Sequence, residues 1–417
     1  MEKIYGLIGN PLGHSYSPQI HAELCDYTYR LFPMEEREVA PFFEKREFAG
    51  INVTIPYKQT VIPLCSRISE EAKRIGSVNT VIKEPDGSLS GYNTDYFGLK
   101  AMLLRAGIDA KGKKALVLGS GGSSKTAVCV LSDLGAGSVT VISRSGENNY
   151  ENISRHADAQ IIVNTTPVGM FPRNGAAPIE LSDFPACCGA ADLIYNPERT
   201  KLLLTAEKLG IPNTGGLYML VAQAAKAAEL FTGGSFDTSD IERVYAKVNF
   251  SMRNIVLVGM PGCGKTTVGR ALADKLGRAF ADCDDYIAEK TGKTPAQWIT
   301  DEGEAKFRSI ETEALRELTS RSASVIATGG GSVTVKENIE LLRQNGRVIF
   351  INRPIAQLTD ENRPLSRGAG AIEALWRVRE PLYREVCDFE VQGGCCAGAN
   401  AVADRILGLL NDCLGDK

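Results

Sequence analysis

Two kinds of hydrophobic run alternate along the whole chain. Short, largely β-branched stretches (IYGLI, GINVTI, NTVIK, ALVLG, VTVIS, IIVNTT, ADLIY, NIVLV) end at Gly, Pro, Asn, Ser or Lys. Between them lie longer segments with apolar residues three and four apart, such as KTAVCVLSDLG, KLLLTAEKLG and TTVGRALADKLG. Continuous apolar strands separated by amphipathic helices predict parallel sheets covered on both faces, an α/β architecture. YTYRLFPM also reads as strand, with helices starting after Ser17 and after Val39. Further helices begin at Tyr218 and Asp237 and are expected to pack back on the first domain. The pattern thus predicts a first domain over 1–98 completed by 218–250, a nucleotide-binding domain over 99–217, and another over 253–417. Phe250-Ser251-Met252 reads as the junction. No internal repeat appears, so the two halves read as a fusion.

Composition narrows the function classes. With 417 residues the chain has room for two or three cores. A net charge of −3 and a pI of about 5.9 leave no electrostatic footprint for nucleic acid or a membrane surface. No apolar run approaches the ~18 residues that span a bilayer. MEKIYGLIGNPLG reads as strand and turn rather than a leader, so a cytoplasmic protein is expected. Eleven cysteines include two adjacent pairs, Cys187-Cys188 and Cys395-Cys396, but no C-x-x-C; with only three histidines this argues against zinc and for reduced thiols. Cys263 and Cys283 flank chemistry described next, and their oxidation sensitivity is a hypothesis.

Residues 254–267, NIVLVGMPGCGKTT, fit G-x-x-x-x-G-K-[ST] between an apolar strand and an amphipathic helix. Small residues let the backbone N–H groups of Gly262, Cys263, Gly264 and Thr267 curl around phosphates. Lys265 reaches the β/γ oxygens, and the Thr266 hydroxyl meets Mg²⁺. Downstream, FADCDDYI sets Asp282 and Asp284 two apart at a predicted strand end, hence on one side of it. One carboxylate suits Mg²⁺ and the other a hydroxyl acceptor. FRSIE, ATGGGSV, ENRPLS and REPLYRE then offer Arg308 and Arg379 for a substrate carboxylate, bare backbone at Gly329–Gly331, and Arg363 on a mobile lid.

In the front half, ALVLGSGGSSKT places Gly119, Gly121, Gly122 and Ser123 between a buried strand and a helix, as close approach to a pyrophosphate requires. The next strand ends in Ser143 and Arg144 rather than an acidic residue, which suits a 2′-phosphate and favours NADP over NAD. Lys58, just beyond Thr54, and Asp95, between aromatic residues, could deliver a proton to a carbonyl oxygen as hydride reaches its carbon.

HSYSP, NVTIPYK, SVNT, YNTD, LGSGGSSKT, NTTPVGM, DLIYNP and GGLYMLVAQA, in this order over about residues 4–250, resemble shikimate dehydrogenase. That resemblance implies substrate contacts at Ser15, Ser17, Thr54, Asn79, Asp95 and Gln223, with Tyr195 nearby, and Lys58 and Asp95 as the catalytic pair. It also implies a nicotinamide faced by Gly216 and the backbone around Leu193, and reduction of 3-dehydroshikimate to shikimate with NADPH. The phosphate-loop half, over roughly residues 253–417, resembles shikimate kinase. There the likeness implies shikimate contacts at Asp284, Arg308, Gly330 and Arg379, Mg²⁺ at Thr266 and (through water) Asp282, and Arg363 in the lid. The implied folds are a dehydrogenase substrate domain with an NADP-binding Rossmann domain, then a P-loop domain of the nucleoside-monophosphate-kinase type. Both halves would act on small molecules, with no nucleic acid or membrane partner.

Two departures stand out. Only about twenty residues separate Arg144 from NTTPVGM, where the resemblance leads one to expect a further helix and strand and a second basic residue. RPIAQLTD, before ENRPLS, is likewise short and lacks an extra basic residue. The competing reading is a dehydrogenase with quinate or NAD promiscuity, fused to a kinase-like binding or regulatory module of low activity.

Overall fold

The computed structural model describes residues 3–13, 15–358, 371–394 and 398–412. It divides into two compact units, Met1–Val248 and Asn249–Lys417.

The first unit holds two sheets. Strands β1 (Tyr5–Gly9), β2 (Tyr29–Pro33), β3 (Gly50–Val53), β4 (Arg67–Ile68), β5 (Thr80–Lys83) and β6 (Leu89–Tyr92) form a six-stranded sheet in the order β2-β1-β3-β5-β6-β4. It is mixed: β5 runs antiparallel to β3 and β6, contrary to the expectation of parallel strands throughout. The reason is local. Asp86-Gly87 turns the chain back, Gly87 at φ 82°, and the Asp86 carboxylate accepts from the Ser88 N–H and hydroxyl. Helices α1 (Ser17–Leu24), α2 (Glu36–Lys45), α3 (Glu70–Ile75) and α4 (Thr94–Arg105) connect and cover this sheet. α2 starts at Glu36, before Val39, because Glu35 and Glu38 close a capping box.

The second sheet contains β7 (Lys114–Leu118), β8 (Ser138–Ile142), β9 (Ile161–Asn164), β10 (Gly189–Asp192) and β11 (Asn213–Gly215), all parallel, in the order β11-β10-β9-β7-β8. α5 (Gly122–Asp133) follows the glycine turn, and α6 (Lys201–Lys208) follows β10. After β8 the chain makes only turns and a short 3₁₀ segment at Ile153–His156, pinned by His156 Nε2 and Asn148 Oδ1 at 3.0 Å. Tyr150 and Ile153 fill the apolar space beneath it. α7 (Leu217–Thr232) packs on α4 and α1, and α8 (Thr238–Met252) follows, so 250–252 form a last helical turn rather than a loop.

The second unit is one parallel sheet of β12 (Asn254–Val258), β13 (Ala279–Asp282), β14 (Ser324–Ala327), β15 (Gly346–Asn352) and β16 (Phe389–Gln392), ordered β13-β14-β12-β15-β16. α9 (Lys265–Leu276), α10 (Cys283–Thr291), α11 (Pro295–Glu302), α12 (Glu304–Thr319), α13 (Lys336–Asn345), α14 (Ala371–Val386) and α15 (Ala399–Asp412) surround it. Every residue of β12 is buried, since apolar clusters lie on both faces. Both tryptophans, Trp298 and Trp376, pack against one of these clusters. Among the described residues no helix is long and apolar enough to cross a membrane.

Candidate active sites

In the first unit a cavity of about 310 Å³ opens at the ends of β1 and β3. It is lined by all eight side chains expected at the substrate: Ser15, Ser17, Thr54, Lys58, Asn79, Asp95, Tyr195 and Gln223. Asp95 sits in the first turn of α4, whose cap is Asn93, its side chain accepting from the Tyr96 N–H. Lys58 Nζ donates to Asp95 Oδ2 at 2.6 Å, with both side chains partly exposed to the cavity. Their proximity follows from β3 and β6 flanking β5, which carries two chain-distant motifs to one sheet end.

Behind that pair lies a network of uncharged groups. Thr94 N–H donates to Asn79 Oδ1 at 2.7 Å, and Thr94 Oγ1 donates to Gln223 Oε1 at 3.2 Å. Asn52, which the sequence reading did not single out, lines the cavity too; it accepts from Tyr29 Oη at 2.7 Å and donates to Thr80 Oγ1 at 3.0 Å. An amide inside a fully buried four-residue strand was the available signal, because burial demands a partner for it. His21 stacks on Tyr29 at 4.0 Å, bonds Tyr27 Oη at 2.6 Å, and burial lowers its pKa to about 3. Burial also raises the Tyr195 phenol, whose ring meets Tyr16 edge-on.

The glycine turn beside this cavity is built for close approach. Gly119 adopts φ 108°, and a Cβ there would lie 2.8 Å from Thr165 Oγ1. Gly121 caps α5, so the N–H groups of the next residues, Gly122 and Ser123, face outward at a helix N-terminus. Ser143 and Arg144 follow β8 next to it, where Gly119 N–H donates to Ile142 O. A Cβ on Gly216 would come within 2.1 Å of the Leu193 carbonyl oxygen, so these two backbone positions touch. The donor set fits a dinucleotide phosphate.

In the second unit, β12 delivers the chain into a loop where Gly259, Gly262 and Gly264 have φ of 146°, 79° and 100°. Lys265 is 8% exposed, and its Nζ donates to the carbonyls of Gly259 (2.8 Å) and Met260 (3.0 Å), inside the cradle. Cys263 is buried there, with its sulfur 3.9 Å from that ammonium. Thr266 Oγ1 donates to Asp282 Oδ2 at 2.6 Å. Hydroxyl and carboxylate are hard oxygen ligands of the kind Mg²⁺ takes. Among the described residues no group of three or more His, Cys, Asp or Glu could hold a metal ion.

Asp282 and Asp284 do not lie along one strand side. The strand stops at Asp282, which caps α10: its Oδ1 accepts the Asp284 N–H at 3.0 Å, and Asp284 belongs to the helix. Capping overrode strand periodicity, yet Asp282 still meets Thr266 and Asp284 lies beside Gly329. Cys283 between them is wholly buried; burial, then Glu311 and Asp284, push its thiol far up, which removes it as an oxidation-sensitive group.

Gly329–Gly331 turn tightly after β14. A Cβ on Gly329 would meet Glu311 and Asp284, one on Gly330 the Pro261 ring, and one on Gly331 the Arg308 guanidinium at 2.1 Å. Arg308 bonds Glu311 (2.7 Å) and Glu304 (2.8 Å), and Ser332 Oγ donates to Glu311 Oε1 at 2.5 Å. Tyr383, one turn beyond Arg379 on α14, donates to the Gly330 carbonyl. Arg379 is 5% exposed; burial, with Arg308 adding to it, lowers its pKa, while Tyr383, Glu304 and Glu311 oppose that shift. Glu311 and Tyr383 went unremarked in the sequence, although their i+3 and i+4 spacing from the two arginines was visible. Arg363 lies outside the described residues.

Comparison with known proteins matches both halves. The family model for the shikimate dehydrogenase substrate binding domain covers residues 7–81, and that for shikimate kinase covers 261–410. Shikimate dehydrogenase (NADP(+)) of Clostridium perfringens (strain SM101 / Type A) is 36% identical over 267 residues, 59% of this chain and 98% of the relative. A chorismate mutase/shikimate 5-dehydrogenase fusion protein from Clostridium acetobutylicum superposes with a TM-score of 0.56 at 35% identity, covering 60% of this chain and 97% of that one. The Thermus thermophilus shikimate 5-dehydrogenase, solved with NADP(H) and shikimate, gives 0.54 at 32%, covering 59% and 99%. This chain belongs to the shikimate dehydrogenase family, and with the shikimate kinase domain that follows it forms a bifunctional enzyme of the shikimate pathway.

Proposed function

We propose that residues 1–98 with 218–250 bind the substrate, 99–217 bind NADP(H), and 253–417 form the kinase. The first unit reduces 3-dehydroshikimate to shikimate, and the second phosphorylates shikimate to shikimate 3-phosphate. The reduced nicotinamide supplies the hydride. Lys58 gives a proton to the carbonyl oxygen as charge develops on it, while Asp95 holds the ammonium and accepts from a substrate hydroxyl. Ser15, Ser17, Thr54, Asn79 and Gln223 take the remaining polar groups of the ring, with Tyr195 as a wall. Gly119, Gly121, Gly122 and Ser123 hold the pyrophosphate, Ser143 and Arg144 the 2′-phosphate.

In the second unit ATP with Mg²⁺ supplies the phosphoryl group. Arg308 and Arg379 fix the shikimate carboxylate, the Gly330 backbone borders the ring, and Asp284 orients the attacking hydroxyl and accepts its proton. Lys265 and the N–H groups of 262–267 hold the phosphates, with Arg363 as a further cation for them, and Thr266 and Asp282 hold the ion.

The observation that carries this reading is the 2.6 Å Lys58–Asp95 pair inside a cavity walled by hydroxyls and amides. Incubating the full chain with 3-dehydroshikimate, NADPH and MgATP tests it. Loss of nicotinamide absorbance together with a phosphorylated product is expected. Oxidation without phosphate transfer would remove the kinase half of the reading, and no oxidation would remove the dehydrogenase half.

A further inference from the structure

Resting on the dehydrogenase reading, we infer that Asp192 is a positioning residue of the hydride-transfer site, fixing the loops 164–168 and 193–195 against one another through a single carboxylate. Asp192 ends β10 and is wholly buried. Its Oδ1 accepts from Asn164 Nδ2 and from the Ile194 N–H, both at 3.0 Å, and its Oδ2 accepts from Thr200 Oγ1 at 2.8 Å. One side chain thereby joins the end of β9, the segment after β10 and the cap of α6.

The ties to Asn164 and Ile194 lead toward the site. Asn164, also wholly buried, knots its own loop: its Oδ1 accepts from the Thr166 N–H and hydroxyl, and its Nδ2 also donates to Val168 O at 3.3 Å. In that loop Thr165 Oγ1 donates to Leu118 O and sits where a Gly119 Cβ would go, at the glycine turn. On the other side, Leu193 N–H donates to Asn164 O, and the Ile194 carbonyl accepts from the Gly216 N–H. The Leu193 carbonyl, which touches Gly216, and the Tyr195 ring, which walls the cavity, therefore take their positions from the segment that Asp192 holds.

Packing alone does not account for a carboxylate here. Burial pushes its pKa up to about 6, and the groups that offset this are the uncharged donors Ile194, Asn164 and Thr200. A buried charge with no cation beside it is costly, and an apolar residue would fill the space more cheaply. What the carboxylate supplies is acceptor oxygens for three convergent donors.

The test uses the full chain with kinetics for 3-dehydroshikimate and NADPH. Asp192→Ala removes all three ties and is expected to lower dehydrogenase kcat about 100-fold, the scale of an ångström-sized displacement. KM for NADPH should stay within about twofold, since the phosphates are held elsewhere. Asp192→Asn keeps an acceptor for Asn164 and Ile194 and turns its amide to Thr200; it is expected to restore kcat to within about threefold of the parent. Should Asp192→Ala not fold, Asn164→Ala, which cuts one donor to Oδ1, is judged by the same two criteria. A kcat unchanged in the alanine variant, a KM for NADPH that rises as steeply as kcat falls, or no recovery with asparagine overturns the inference. An inactive parent chain would instead overturn the dehydrogenase reading.

Discussion

Among the described residues lining the dehydrogenase cavity, Lys58 and Asp95 are the only charged side chains, and they neutralise each other. The second unit gathers Arg308, Arg379, Glu311, Asp284, Asp282 and Lys265 around the loops that follow β12, β13 and β14, several of them nearly or wholly buried. The contrast follows the chemistry. Hydride transfer takes no charge from the protein beyond one proton, so recognition falls to hydroxyls and amides whose partners are fixed in advance. Phosphoryl transfer handles several negative charges at once and needs cations held in place by carboxylates behind them. Similar ligands thus meet a neutral cage in one unit and a charged one in the other.

The sharpest way to break this comparison is to remove the one useful charge from the neutral cage. Lys58→Ala is expected to lower dehydrogenase kcat by about 1,000-fold while kinase kcat in the same polypeptide stays unchanged. A loss below tenfold would mean another group delivers the proton. Glu311 tests the charged cage from behind. Because it is wholly buried against Arg308, Glu311→Gln should cost the second unit about 3 kcal/mol, read as the urea midpoint for loss of kinase activity. Arg379→Lys keeps the charge but loses the planar fork, so KM for shikimate should rise about 30-fold with kcat much less affected. Equal loss of kcat would place Arg379 at the phosphoryl group instead.

The smallest effect concerns pH and belongs to the neutral cage. His21 has its folded pKa at about 3, against an ordinary 6.5. The unfolded chain therefore binds a proton that the folded chain refuses. Its contribution to stability is complete above about pH 6.5 and is lost as pH falls toward 3, by about 1.4 kcal/mol per unit. Between pH 7 and 5 the urea midpoint of dehydrogenase inactivation should fall by an amount equal to about 2 kcal/mol, and His21→Gln should lack that component.

Much of this was legible in the chain itself, for unequal reasons. The phosphate loop and the eight cavity residues sit in compact motifs, where spacing along the chain already encodes geometry. What stayed hidden depends on pairing between remote segments. Asn52 gains its role from Tyr29 and Thr80, which only the order of strands brings beside it. The antiparallel β5 was obscured because a buried strand reads the same in either direction. Asp282 and Asp284 were misread by strand periodicity because one residue's cap converts the next into helix. The gap after Arg144 was correctly seen as too short for a full helix and strand, and a 3₁₀ turn with Tyr150 and Ile153 beneath it fills the space.

Trp298 and Trp376 are the chain's only indoles, and both rest on the kinase core. Indole emission therefore reports one half of the polypeptide, while the other, which holds tyrosines and no tryptophan, is silent in that band. A ligand or denaturant titration followed at the indole band isolates the kinase domain inside the intact fusion, with no need to cut the two enzymes apart.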